Sequence, residues 1–116
     1  MVVEDDGAIL ELTADILRGA GYRVVAALGA NQALGHVAEG TNPDLLLTDV
    51  VMPDLSGPEL AARLADEIPE MPVLYMSGYA PESRAGASID EALLIHKPFS
   101  HQQLLERIAG LLPDVE

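Results

Sequence analysis

The chain has 116 residues, of which 49% are hydrophobic, so it contains enough apolar material for one folded domain and is unlike a disordered segment. The absence of cysteine excludes a disulfide framework and a thiolate metal site. The formal net charge of −13 repels the phosphates of nucleic acids, so direct binding to DNA or RNA is not expected.

Two strands and two helices are predicted in the first 40 residues. Met1–Val3 is a short apolar strand, and Tyr22–Ala26 is the second predicted strand. Between them, helical spacing predicts a helix with an inner face of Ile9, Leu12, Thr13, Ile16 and Leu17. Asn31–Glu39 is predicted as a short helix that ends at Gly40.

The third predicted strand is the most apolar segment. Leu45–Leu47 is unbroken, which is typical of a central parallel strand that is covered on both faces. The run ends at Thr48 and Asp49, and the loop Met52–Gly57 follows. Asp49 is therefore predicted to lie at the end of the central strand.

Two capping boxes mark the starts of later helices. Ser56 with Glu59 predicts one start, and Ser100 with Gln103 predicts the other. The inner faces predicted for these helices consist of Leu60, Ala61 and Leu64 in the first, and Leu104, Leu105, Ile108 and Leu111 in the second.

Two strands and a weak helix complete the alternation. Pro72–Ser77 and Ala92–His96 are the strands, and Ser83–Ile89 is a helix with few apolar anchors and Gly86 inside it. Five strand–helix repeats favour one α/β domain over residues 1–116. Its predicted core is a doubly wound, five-stranded parallel sheet with helices on both faces.

The predicted strands end in residues that carry chemistry. These are Glu4 and Asp5 after the first strand, Asp49 after the third, Ser77 at the fourth and Lys97 after the fifth. Each alone is ordinary for a turn or a solvated loop. Together they indicate a site, because ligands of open α/β sheets bind beyond the carboxyl ends of the strands.

Crowded carboxylates favour a hard divalent cation such as Mg²⁺, which needs only one or two protein carboxylates and keeps room for a phosphoryl oxygen. This chemistry suits phosphoryl transfer with Asp49 as the nucleophile. Lys97 would neutralise one phosphoryl oxygen, and Ser77 would donate a hydrogen bond to another. The backbone carbonyl of Val51 is a further candidate metal ligand.

Five segments, in order, resemble the motifs of response-regulator receiver domains of two-component systems: Val2–Asp6, Leu47–Pro53, Ser56–Gly57, Met76–Gly78 and His96–Phe99. The resemblance covers essentially the whole chain. It implies a flavodoxin-like sheet with strand order 2-1-3-4-5. It also implies a phosphoryl donor, either a histidine kinase or a histidine phosphotransfer domain.

The resemblance implies one role for each residue of the site. Asp5 matches the direct metal ligand, and Glu4 matches the acid that acts largely through water. Asp49 matches the phosphoacceptor, Ser77 the switch hydroxyl and Lys97 the lysine of the family.

Two finer features also follow from the resemblance. The segments Pro72–Tyr79 and Leu45–Pro53 are similar to receivers of hybrid sensor histidine kinases, and the short apolar start agrees with a domain cut from a longer protein. The Lys97–Pro98 peptide bond is often cis in the family, so we expect a cis bond here.

Three positions depart from the family pattern. Leu94 occupies the place where many receivers carry an aromatic ring that moves with the switch hydroxyl, so another signal, such as movement of the helix around Gly86, is expected. Val51 and Tyr79 offer no base to activate water, which predicts slow hydrolysis of the acyl phosphate.

Three other functions fit the sequence less well. An aspartyl-phosphate hydrolase of the dehalogenase type requires a second acid at the position that Val51 occupies. A flavodoxin-like cofactor binder wants a loop of small residues where Glu4–Asp6 stands. A pseudo-receiver keeps the fold without the chemistry, and nothing in the sequence favours it.

The remaining expectations concern the setting of the domain. No apolar run approaches the roughly 20 residues of a membrane span, and no leader is evident, so a cytoplasmic domain is expected. We expect a monomer or a weak homodimer that makes no membrane contact. We expect it to catalyse only its own phosphorylation and dephosphorylation.

Overall fold

The structure is a computed structural model that describes residues 1–78 and 89–112. These residues form five strands: β1 Val2–Val3, β2 Ala26–Ala27, β3 Leu46–Asp49, β4 Val73–Ser77 and β5 Leu94–His96. Four α-helices accompany them: α1 Gly7–Gly19, α2 Ala30–Ala38, α3 Gly57–Ala65 and α4 His101–Leu111. No α-helix among the described residues is long and apolar enough to cross a membrane.

The strands form one parallel sheet in the order β2-β1-β3-β4-β5. This order confirms the predicted doubly wound, flavodoxin-like α/β fold. All four residues of β3 are buried, as expected for a central strand that is covered on both faces.

Helices pack on both faces of the sheet because successive strand residues point to opposite sides. Leu47, Leu74 and Met76 share one core cluster with side chains of α1 and α4. Leu46 lies in a second cluster that includes side chains of α2 and α3, among them Leu60. The two layers of helices thus bury the sheet between them.

The inner face of α1 differs from the prediction. Its buried residues are Leu10, Thr13, Ala14 and Leu17. The predicted anchor Leu12 is 59% exposed, because two residues correspond to about 200° of rotation from the buried Leu10. The prediction was wrong about Leu12 and right about Thr13 and Leu17.

Both predicted capping boxes are present. At the start of α3, the Ser56 side chain accepts from the Glu59 backbone N–H at 3.2 Å, and the Glu59 carboxylate accepts from the Ser56 N–H at 3.0 Å. The same reciprocal pair joins Ser100 and Gln103 at the start of α4. Each box satisfies two N–H groups that the helix itself leaves without a partner.

Two predicted strands begin two or more residues too early. The second strand is Ala26–Ala27, not Tyr22–Ala26, because it pairs with β1, which has two residues. The last strand begins at Leu94, because Glu91–Leu93 forms a short 3-10 helix. That turn is closed by Asp90, whose carboxylate accepts from the Ala92 N–H at 3.0 Å.

The predicted helix Ser83–Ile89 lies outside the described residues, apart from Ile89. Ile89 is partly buried and packs against a cluster that contains Val50, Tyr75 and Leu94.

Candidate functional site

The carboxyl edge of the sheet brings together the residues that the sequence indicated. Glu4 and Asp5 directly follow β1, and Asp49 ends β3. Ser77 ends β4, and Lys97 follows β5. The parallel topology explains this convergence, because all the strand ends point to one edge.

Three carboxylates form the centre of the site. One ligand oxygen from each of Glu4, Asp5 and Asp49 lies within 4.8 Å of the others. Glu4 and Asp49 are buried, whereas Asp5 is exposed. The cluster is therefore buried at Glu4 and Asp49 and open to solvent at Asp5.

Lys97 lies between the two buried carboxylates. Its Nζ donates to Glu4 Oε1 at 2.9 Å and lies 3.3 Å from Asp49 Oδ1. One ammonium and three carboxylates leave two negative charges uncompensated. A divalent cation matches that deficit, and oxygen ligands suit Mg²⁺.

The pKa values of the site reflect burial first and the lysine second. Burial raises the pKa of the Glu4 and Asp49 carboxyls, and the opposing effect of Lys97 is too small to reverse the shift. Burial opposes the charge on Lys97, but the hydrogen bond to Glu4 and the attraction of Asp49 raise its pKa overall. The site thus keeps its ammonium, while its carboxylates favour any further cation.

Ser77 is the last residue of β4 and follows Met76, the register partner of Asp49. Its hydroxyl donates to the Gly78 carbonyl at 3.2 Å, and its own carbonyl accepts from the Lys97 N–H at 2.8 Å. The Lys97–Pro98 peptide bond is cis, which confirms the prediction. The backbone thus joins Ser77 directly to Lys97.

Val51 is on the loop that follows Asp49, and its side chain is 59% exposed. The first part of this loop is tied to α3, because the Gly57 N–H donates to the Val50 carbonyl at 2.7 Å. The Asp49 carboxylate accepts from the Val50 N–H at 3.2 Å. These two hydrogen bonds hold Val50, and thereby fix the start of the segment that carries Val51.

Sequence reasoning missed the structural role of Gly57. A Cβ at this position would collide with the backbone carbonyl oxygen of Asp49. Glycine therefore lets α3 begin against the end of β3. The available signal was its place directly after the capping residue Ser56.

Leu94 is buried with Val50 and Tyr75. Tyr75 is the register partner of Leu94 on the neighbouring strand. The aromatic ring of Tyr75 therefore lies beside Leu94, the position at which many receivers carry an aromatic residue. Tyr79, which was predicted to crowd water, lies outside the described residues.

Comparisons with known proteins agree with this geometry. The family model described as "Response regulator receiver domain" matches residues 1–109. The probable transcriptional regulatory protein TcrX of Mycobacterium tuberculosis is 32% identical over 97% of this chain and 48% of its own length. The sensor kinase CckA of Brucella abortus is 32% identical over 97% of this chain and 12% of its own length.

A solved structure gives the same result. The response regulator TrrA of Thermotoga maritima, in complex with Mg²⁺-BeF, superposes with a TM-score of 0.79 at 28% identity, over 96% of each chain. This chain spans about half the length of TcrX and much less of CckA. Neither the comparisons nor the described residues favour the hydrolase, the cofactor binder or the pseudo-receiver. The chain belongs to the response regulator receiver domain family of two-component signalling.

Proposed function

We propose that Asp49 accepts a phosphoryl group from the phosphohistidine of a histidine kinase or a histidine phosphotransfer domain. The observation that carries the proposal is the position of Lys97, within 3.3 Å of Asp49 Oδ1 and 2.9 Å of Glu4 Oε1. An ammonium beside a carboxylate nucleophile can neutralise the charge of an incoming phosphoryl group.

In the proposed reaction, a carboxylate oxygen of Asp49 attacks phosphorus and forms a new P–O bond. The P–N bond to the donor imidazole breaks, and its electron pair stays on the leaving nitrogen. Lys97 holds one phosphoryl oxygen, and Ser77 rotates its hydroxyl away from the Gly78 carbonyl to donate to another. The product is an acyl phosphate on Asp49.

We infer that Mg²⁺ is the cofactor. Asp5, Asp49 and the Val51 carbonyl would hold it directly, and Glu4 would act largely through water. The donor set fits, because the three carboxylates lie within 4.8 Å of one another and carry more charge than Lys97 compensates. When bound, Mg²⁺ would offset negative charge on the phosphoryl group and align it with Asp49. The complex of TrrA with Mg²⁺-BeF supports this assignment.

We further propose that residues 1–116 form one domain that acts in the cytoplasm as a monomer or a weak homodimer. The net charge of −13 supports a protein partner and opposes direct contact with nucleic acid. The similarity to both TcrX and CckA leaves two settings for the domain, a transcriptional regulator or a sensor kinase.

Incubation with acetyl phosphate and Mg²⁺, followed by intact-mass spectrometry, tests the proposal. We expect a gain of one phosphoryl group, its loss in Asp49→Asn, and little uptake when EDTA removes the metal. Asp44→Asn is the matched control, because Asp44 is an exposed acid just before the apolar run that leads into β3. It should be phosphorylated like the wild type.

The second experiment uses a phosphohistidine donor in place of acetyl phosphate. If the folded protein takes no phosphoryl group from acetyl phosphate or from a phosphorylated histidine phosphotransfer domain, the proposal fails. Uptake that persists in Asp49→Asn would place the modification elsewhere.

A further inference from the structure

Helix α2 begins without a capping side chain of its own. It starts at Ala30, and its N-cap residue is Gly29, which makes no side-chain hydrogen bond. The first N–H groups of a helix have no partner inside the helix and need one from elsewhere. The partner of α2 comes from another part of the chain.

Asp54 supplies this partner. Its Oδ2 accepts from the Asn31 N–H at 2.9 Å, although the two residues are 23 positions apart. Its Oδ1 accepts from the Leu55 N–H at 3.0 Å. A Cβ on Gly29, which has a φ of +92°, would lie 3.2 Å from Asp54 Oδ2, so glycine makes room for the carboxylate.

The loop that carries Val51 is therefore attached to α2. Met52, directly after Val51, is 7% exposed and belongs to the same core cluster as Ala30 and Ala33 of α2. Asp54 adds a hydrogen bond to the same helix. The buried Met52 side chain and the Asp54 hydrogen bond therefore both hold the segment that follows Val51.

We propose that Asp54 is a positioning residue for the cation site, because its cap on α2 holds the loop in the conformation in which the Val51 carbonyl can bind Mg²⁺. The inference rests on the proposed function of Asp49 and its metal. Coupling between two sites is reciprocal, so Mg²⁺ in turn tightens the first turn of α2. The loop after the phosphoacceptor thereby reports the state of the site to a helix that contributes no residue to it.

Three variants test the inference by NMR titration with Mg²⁺. Asp54→Ala should weaken Mg²⁺ binding about five-fold, the lower end of coupling between sites. Asp54→Asn keeps an acceptor oxygen and should restore most of the affinity. Gln32→Ala is the matched control, because Gln32 accepts from the Leu28 N–H at 2.8 Å beside the same helix start and forms no hydrogen bond with residues 50–56. It should bind Mg²⁺ like the wild type.

Phosphorylation by acetyl phosphate separates positioning from chemistry. In Asp54→Ala, the rate should fall at low Mg²⁺ and return to within about two-fold of the wild type when Mg²⁺ saturates, because the reacting groups are intact. A rate deficit that persists at saturating Mg²⁺ would overturn the positioning role.

Hydrogen exchange at the Asn31 amide gives a readout that does not depend on activity. Mg²⁺ should slow this exchange several-fold in the wild type and leave it unchanged in Asp54→Ala. If Asp54→Ala and Gln32→Ala both bind Mg²⁺ like the wild type, the inference is wrong while the proposed function stands. If the wild type itself binds no Mg²⁺, the proposed function has failed.

Discussion

At the scale of single residues, the site is defined by one ammonium shared between two buried carboxylates. Lys97 lies within 3.3 Å of both Glu4 and Asp49, and the Glu4 side chain is only 2% exposed. The cost of burying charge is largest where compensation is incomplete. The metal-free site therefore holds uncompensated negative charge that a cation or a proton relieves.

The raised pKa values of Glu4 and Asp49 make the stability of the protein depend on pH. A raised pKa means that the folded state holds the proton more tightly than the unfolded chain does. Glu4 and Asp49 therefore contribute stability when protonated, below their ordinary values of 4.5 and 3.8. That contribution is lost as the pH rises through their folded-state pKa values.

We predict that Asp49→Asn stabilises the metal-free protein. At pH 7 its free energy of unfolding should exceed that of the wild type, because burial raises the pKa of the Asp49 carboxyl and a neutral amide avoids the cost of burying its charge. The advantage should shrink as the pH falls, because the wild-type carboxyl then takes up a proton. Urea denaturation in EDTA at several pH values measures the difference.

Glu70→Gln is the control for that series, because Glu70 is exposed in the turn before β4. It should change stability little at any pH. An Asp49→Asn variant that is less stable than the wild type at pH 7 would show that Lys97 compensates both carboxylates fully.

Two single residues, Val51 and Tyr79, underlie the predicted slow hydrolysis of the acyl phosphate. Val51, two residues after Asp49, is exposed and apolar and offers no base to activate water. Its companion Tyr79 lies outside the described residues. The slow rate stays a prediction, as do the roles assigned to the individual side chains.

At the scale of elements, local signals specified the helix starts better than the strand ends. Both capping boxes are where the sequence predicted them, because a cap is formed by residues three positions apart. The second strand was misplaced because its length depends on β1, to which it is paired. Strand bounds are set by partners that a local pattern does not contain.

The start of α3 packs directly against the end of β3 at Gly57. We predict that Gly57→Ala lowers the free energy of unfolding by about 2–4 kcal/mol, because the added Cβ would collide with the Asp49 carbonyl and force a backbone shift. Urea denaturation measures the loss. Phosphorylation of the remaining folded protein should also slow, since the shift displaces Asp49.

Gly35→Ala is the matched control for Gly57→Ala. Gly35 lies inside α2, and a Cβ there would meet nothing within 4 Å. The substitution should therefore raise stability by about 0.5–1 kcal/mol through helix propensity. Equal effects of the two substitutions would show that the contact with Asp49 is unimportant.

At the scale of the whole molecule, the doubly wound sheet gathers acidic residues from distant parts of the chain at one edge. Glu4, Asp49 and Lys97 come from three different strand ends and meet because parallel strands with crossover helices align their carboxyl ends. The strong net negative charge adds to the local attraction for cations. The proposed metal site is therefore assembled only in the folded chain.

We predict that Mg²⁺ stabilises the folded state by mass action. At a free concentration ten times its Kd, the free energy of unfolding should rise by about 1.4 kcal/mol, because the unfolded chain lacks the assembled site. Chemical denaturation at constant ionic strength measures the effect. Asp5→Asn, which removes one exposed carboxylate of the cluster, should lose most of it.

A control with NaCl at matched ionic strength is essential for this prediction, because screening of the net charge also favours the compact state. Stabilisation by NaCl equal to that by Mg²⁺ would mean general screening and would count against a specific site.

The amino-acid sequence by itself determined the alternation of strands and helices, the capped helix starts, the polar strand ends and the resemblance to receiver domains. These features depend on periodicity, on caps and on short motifs, all of which lie within a few residues. Only the tertiary structure decided that Leu12 faces solvent, that Lys97 is shared between Glu4 and Asp49, and that Asp54 caps a helix 23 residues away. Such contacts depend on how the crossovers place one element against another, which no local pattern records.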